Sequence, residues 1–123
     1  MRRRDTGILG DKIAGDYLQK RGYRILETNY RCPHGEIDIV ARHEDYLVFI
    51  EVRTKKSRCF GSPEESITHA KRQKLIATAW HYRQAAADPP PLWRIDTVAV
   101  ELNRKNEILR IELTENAVTG DEA

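Results

Sequence analysis

The sequence predicts an α/β domain with a mixed β-sheet flanked by helices, in the order helix, three strands, helix, two strands. Three observations predict it. Residues 8–21 repeat apolar side chains at helical spacing, and residues 23–54 form alternating runs separated by turn formers, the pattern of strands. A second helical run ends before Pro89, Pro90 and Pro91, and two further strand-like runs follow. A chain of 123 residues has room for one hydrophobic core, so a single domain over 1–123 is expected, with its core at about 6–116.

The first helix is amphipathic from Ile8 to Arg21. Leu9, Ile13, Ala14, Tyr17 and Leu18 share one face, and Gly22 is the stop. Arg2, Arg3 and Arg4 ahead of it read as a loose basic tail. Residues 23–30 are apolar and aromatic enough for a strand, which ends at the turn formers Pro33 and Gly35. The next strand, 36–42, alternates Glu36, Asp38 and Val40 on one face with Ile37, Ile39 and Ala41 on the other. After the polar turn His43-Glu44-Asp45, the strand Tyr46 to Thr54 sets Val48, Ile50 and Val52 against Phe49, Glu51 and Arg53. These two strands make a hairpin.

Ser62-Pro63-Glu64-Glu65 combines an N-cap Ser, a Pro at the first helical position and a Glu completing a capping box, so the second helix is expected to start there. Ile67, Leu75, Ile76, Ala79, Trp80 and Tyr82 supply its buried side as far as about Ala87, with a break near Thr68. Strands at Trp93 to Glu101 and Ile108 to Leu113 follow, joined by the polar turn Asn103 to Asn106, and Thr119 to Ala123 are expected to fray.

Composition excludes a membrane span. Hydrophobic residues are 40% of the chain and charged ones 33%, and the best apolar stretch, Tyr46 to Ile50, meets Glu51 at once. The N-terminal arginines resemble a signal n-region, yet Asp5, Asp11 and Lys12 interrupt the apolar stretch that export requires, so a cytoplasmic protein is expected. Cys32 and Cys59 form no CxxC pair and are expected to be free thiols.

The net charge of +2 conceals segregation. Residues 1–24 carry seven Lys/Arg against three Asp/Glu and residues 53–83 carry eight against two, whereas residues 25–52 carry two against six. The basic segments suit phosphate contact; the acidic one either collects a cation or solvates an exposed face.

Asp38 and Glu51 stand out in the acidic segment. They lie 13 residues apart, on the two strands of the hairpin, where their side chains could meet on one sheet face. A carboxylate between Ile50 and Val52 costs several kcal/mol unless paired or metal-bound, roughly, so Glu51 needs a partner. An oxygen-loving divalent ion such as Mg²⁺ or Mn²⁺ is one answer, leaving coordination positions for water and a substrate phosphate. Arg53 and Lys55, on the face of Glu51, could bind that phosphate or stabilise developing charge. The plain alternative is a salt bridge from either carboxylate to Arg53 or Lys55 at a wet strand end.

The run Gly35-Glu36-Ile37-Asp38, followed by Glu51-Val52-Arg53-Thr54-Lys55, resembles the PD-(D/E)XK nuclease signature. From Gly10 to Val118 the chain resembles the bacterial YraN family of predicted endonucleases, related in fold to archaeal Holliday junction resolvases. Gly10-Asp11, Ala14, Tyr17-Leu18, Gly22-Tyr23, Asn29-Tyr30-Arg31, Val48 to Arg53, Gly61-Ser62-Pro63, Lys71 and Arg94-Ile95-Asp96 carry that resemblance together with Gly35 to Asp38.

The resemblance implies a restriction-endonuclease-like fold, with Asp38 and Glu51 as metal ligands, Glu36 as an accessory carboxylate and Asp11 as the acidic residue of the first helix. Asp11 stands where Glu is usual, and its shorter reach would call for a bridging water. At position 53 the signature Lys is Arg, which cannot act as a base although it can clamp a phosphate. Lys55, about 6.6 Å further along the same face, is the substitute the strand offers.

Other residues have plainer readings. His34, His43, His69 and His81 lack zinc-site spacing, and Trp80 and Trp93 read as core or subunit-contact residues. Lys71, Arg72 and Lys74 form either a solvated helix face or phosphate contacts, and Gln73 could point the same way. The function expected is metal-dependent hydrolysis of nucleic acid, branched or structured DNA in particular. The rival is a non-catalytic nucleic-acid-binding or assembly module, which Arg53 favours. Symmetrical cutting of two strands would suit a homodimer.

Overall fold

The computed structural model describes residues 3–56 and 68–118. The elements come in the expected order: α1 (Arg3–Lys20), β1 (Arg24–Cys32), β2 (Gly35–His43), β3 (Tyr46–Lys56), α2 (His69–Ala85), β4 (Leu92–Leu102) and β5 (Ile108–Val118). The five strands form one mixed sheet in the order β1-β2-β3-β4-β5. Neighbours are antiparallel except β3 and β4, which run parallel from Tyr46 beside Leu92 to Lys56 beside Leu102. Parallel neighbours need a crossover, and α2 lies within this one.

The sheet is covered on both faces. Against one face α1 packs Ala14 and Leu18, with Leu9 and Ile13 beside them, onto Ile39, Ala41, Val48, Ile50, Val98, Val100 and Leu102. Against the other α2 packs Leu75, Ile76 and Ala79 onto Ile37, Val40, Leu47, Phe49 and Ile95. The central strand β3 therefore buries both faces, from Leu47 to Ile50, before it becomes polar.

Boundaries differ from the sequence expectation in instructive places. The helix α1 starts at Arg3, so Arg3 and Arg4 carry helical backbone rather than a loose tail. It is held against β3 by a very close approach: a Cβ on Gly10 would overlap the Thr54 side chain. The helix α2 starts at His69, because Thr68 is extended (φ −71°, ψ 164°) and its side chain accepts a hydrogen bond from the Lys71 N–H. The expected break near Thr68 is thus a true beginning. The Ser62-Pro63 cap, Ile67, Cys59, Arg2 and the C-terminal residues 119–123 lie outside the described residues.

The helix α2 ends at Ala85, two residues short of Ala87, where Ala86 turns extended. The strand β5 runs to Val118 rather than Leu113. A register shift opposite Ile95 and Thr97 accompanies Asn116 at φ +54°, and the Asn116 N–H donates to Asp96 Oδ1 at 2.8 Å.

One alternation fails. Ile37 packs on the α2 face and Ile39 on the α1 face, although a regular strand would place them together. The break falls at Asp38. Pairing of β2 with β3 runs from His43 beside Tyr46 to Ile39 beside Ile50 and stops there, so the strands part where Asp38 and Glu51 would have met.

Candidate active site

At that parting the Asp38 side chain takes over from the sheet. Its Oδ2 accepts a hydrogen bond from the Val52 N–H at 2.8 Å, in place of a strand carbonyl. Asp38 and Glu51 therefore do not simply share one face, as strict alternation predicts; Asp38 reaches over the fork to the backbone beside Glu51. Glu51 points toward α2, where Lys71 Nζ lies 3.5 Å from its Oε1, and Arg53 Nη1 on β3 itself lies 4.0 Å from the same oxygen. It is only 7% exposed, deeper than a solvated strand end would be.

On the other side of the fork a cavity of about 310 Å³ opens between α1 and the end of β3. Asp11 and Asp38 line it together with Thr6, Arg53, Thr54 and Lys55. The close seat of Gly10 on Thr54 is what lets α1 bring Asp11 here. Glu36, the fourth carboxylate, pairs with Arg31 at 3.1 Å on the surface. It still adds its charge to the cluster, because it acts on both Asp11 and Asp38.

Burial and mutual repulsion together raise the carboxyl pKa values. Burial, then the charges of Asp38 and Glu36, push the Asp11 pKa up to about 7. Burial and the Asp38 charge push Glu51 to about 7 against the opposing pull of Lys71 and Arg53. Asp38 is also raised by burial, although the Val52 N–H, Lys71 and Arg53 work the other way. Such mutual repulsion in a half-buried cluster is relieved by a divalent cation. Among the described residues no three Asp, Glu, His or Cys side chains form a ready-made metal cage. An ion here would rest on two or so carboxylates and complete its shell with water or substrate oxygen, the habit of Mg²⁺.

The remaining sequence candidates divide. Lys71 stands at the site itself, whereas Lys74 is exposed and Gln73 half-buried further along α2. Trp93 packs edge-on against Phe49 in the core, but Trp80 is 48% exposed, with the Arg83 guanidinium carbon 5.0 Å from its ring centre. The histidines serve other contacts: His81 Nδ1 lies 2.6 Å from the Tyr30 hydroxyl, and His43 stacks on Tyr23.

Sequence reasoning misses two features. The Asp38 to Val52 bond leaves no residue-type signal. The turn of Lys71 toward Glu51 depends on the rotation of α2, which Thr68 as its cap sets.

Residues 10–100 match the model of a family described as "Uncharacterised protein family UPF0102". A UPF0102 protein of Dehalococcoides mccartyi is 46% identical over 120 residues, covering 98% of this chain and 97% of its own. Those of Caldicellulosiruptor saccharolyticus and Moorella thermoacetica are 41% and 44% identical over 117 residues, each covering 95% of this chain and at least 98% of their own.

Proposed function

The chain belongs to the UPF0102 family, and for it we propose a metal-dependent endonuclease of the PD-(D/E)XK type, acting on branched or otherwise structured DNA. The observation that carries this reading is the fork between β2 and β3. There Asp38, tied to Val52, and buried Glu51 flank the point where the sheet opens, with Asp11 alongside and Arg53, Lys55 and Lys71 around them. Buried carboxylates that repel one another, with basic groups beside them, are the two kinds of group that a phosphodiesterase site uses.

Asp38 and Glu51 would hold Mg²⁺ or Mn²⁺, with Asp11 joining directly or through water and Glu36 adding negative charge from the rim. When bound, the ion supplies Lewis-acid polarisation of the scissile phosphate. The chain's own groups do the rest. Val52 fixes the Asp38 carboxylate, Arg53 and Lys55 orient the phosphate, and Lys74 and Gln73 of α2 follow the backbone further out. Water adds to phosphorus, one P–O ester bond breaks, and a phosphomonoester and an alcohol result.

The test is cleavage of linear, flapped and four-way DNA with Mg²⁺ or Mn²⁺, with Glu51→Ala as control. Metal-dependent cutting lost in Glu51→Ala supports the reading. A specific observation favours a second reading: Arg53 replaces the signature lysine, which suits a DNA-binding module that does not cut. On that reading neither protein cuts, and Glu51→Ala binds DNA more tightly because a negative charge is gone.

A further inference from the structure

The strand offers Lys55 in place of the lysine that the nuclease signature carries where this chain has Arg53, but Lys55 lines the α1-side cavity with Asp11 and Asp38. The ammonium beside Glu51 comes from a different element. Lys71 Nζ is 3.5 Å from Glu51 Oε1, closer than the Arg53 guanidinium at 4.0 Å.

Two features fix Lys71 in that place. Thr68 caps α2 by accepting the Lys71 N–H itself at 3.1 Å, so the backbone of this residue is pinned where the helix begins. Gly35, at φ +151°, lets the start of β2 lie close under α2: a Cβ there would stand 3.0 Å from Thr78 Oγ1 and 3.8 Å from Lys74 Cβ. The helix is thereby seated on the strand that carries Asp38. The Lys71 side chain is 36% exposed whereas that of Glu51 is 9%, so the ammonium stands between the buried carboxylate and solvent.

We infer that Lys71 supplies from α2 the ammonium that the signature takes from the strand: it competes with a divalent ion for Glu51 and, with Glu51 on the ion, turns to the scissile phosphate. The inference rests on the phosphodiesterase reading. Chemistry favours lysine for this exchange. Its flexible stem lets a compact charge move a few ångströms without moving the helix, whereas the planar guanidinium of Arg53 suits a fixed clamp.

The experiment compares wild type, Lys71→Ala, Lys71→Arg and, as a remote charge control on the β4–β5 turn, Lys105→Ala. Mn²⁺ affinity is read from free Mn²⁺ by electron paramagnetic resonance, alongside binding and cleavage of four-way DNA. Lys71→Ala should bind Mn²⁺ roughly threefold or more tightly, as removal of a neighbouring cation requires. It should lose about a hundredfold in cleavage while DNA affinity falls less than about threefold. Lys71→Arg should return Mn²⁺ affinity toward wild type without restoring cleavage, and Lys105→Ala should match wild type throughout.

Unchanged Mn²⁺ affinity in Lys71→Ala, or cleavage at the wild-type rate, overturns the inference and leaves the phosphodiesterase reading standing. Wild type that cuts no substrate removes that reading and the phosphate role together, while the Mn²⁺ titration still decides the competition at Glu51. Should Lys71→Ala fold poorly by circular dichroism, Lys71→Gln keeps the stem and carries the same comparison.

Discussion

Asp38 Oδ2 accepts the Val52 N–H at 2.8 Å, so a side chain of β2 completes the hydrogen bonding of β3 just where the two strands cease to pair. One carboxylate thus has a structural and a chemical duty, and substitution can separate them. Asparagine keeps an oxygen acceptor for Val52, while alanine leaves a part-buried N–H unmet at a cost of about 1–3 kcal/mol. Asp38→Ala should therefore melt lower than wild type in a metal-free thermal scan, and Asp38→Asn at or above it, since a repelling charge is gone. Both should lose divalent-ion binding, measured by calorimetry.

Proton linkage gives the second prediction. Glu51 and Asp11 stand at about 7 in the fold, against ordinary values of 4.5 and 3.8. Between pH about 4 and about 7 the folded chain keeps protons that the unfolded chain has released, so this contribution to stability is full below pH 4, falls as pH rises and is gone above about 7. Glu51→Gln removes one such group. Its melting temperature, compared with wild type in chelator, should be nearly equal at pH 4 and higher by roughly 10 °C at pH 8. A difference that shrinks with rising pH would contradict the raised values.

Much of this was legible in the residues, for physical reasons. Alternation and helical periodicity mark which faces need burial, and β3, β4 and α1 obey them, so element order and the grouping of Glu51 with Phe49 on one strand face could be read directly. The Asp38 face could not. A hydrophobic pattern reports burial against one face or the other, and Ile37 and Ile39 are both buried, on opposite faces, so the pattern looks regular across a strand that is not. The Thr68 cap of α2 shows another limit: its acceptance of the Lys71 N–H is a matter of backbone geometry that residue type alone does not report. The length of β5 rests on Asn116, whose positive φ and bond to Asp96 are tertiary facts.

Gly10 yields a third prediction, because α1 meets β3 there without room for a methyl group. Gly10→Ala gains helix propensity of about 1 kcal/mol, yet must push the helix off Thr54, an overpacking cost of about 1–3 kcal/mol or more. The net effect should be destabilising, and Thr54→Gly in the same chain should recover part of it. The site reports the shift independently: Asp11 follows the helix, so Gly10→Ala should weaken Mn²⁺ binding even at temperatures where circular dichroism shows the protein fully folded.

The final prediction concerns β4, where Asp96 pairs in register with Ile50 of β3, is wholly buried and accepts from Arg94 Nε at 3.0 Å, from the Asn116 N–H at 2.8 Å and from the Tyr23 hydroxyl at 3.3 Å. Arg94 also donates to the Tyr23 hydroxyl at 2.8 Å, and its side chain is only 10% exposed. Burial raises the Asp96 pKa even against the Asn116 N–H and the guanidinium, so the pair adds little net stability over well-packed apolar groups. Breaking it is another matter. Asp96→Ala leaves a buried guanidinium and a strand N–H without their acceptor, and should cost about 3–5 kcal/mol in chemical denaturation. Tyr23→Phe removes one hydroxyl from the network and should cost about 1 kcal/mol. Because these groups act as a unit, the double variant Asp96→Ala with Arg94→Leu should be more stable than the sum of its single changes, by about 1–3 kcal/mol. Additive losses would mean that Asp96 and Arg94 are held by their surroundings and not by each other.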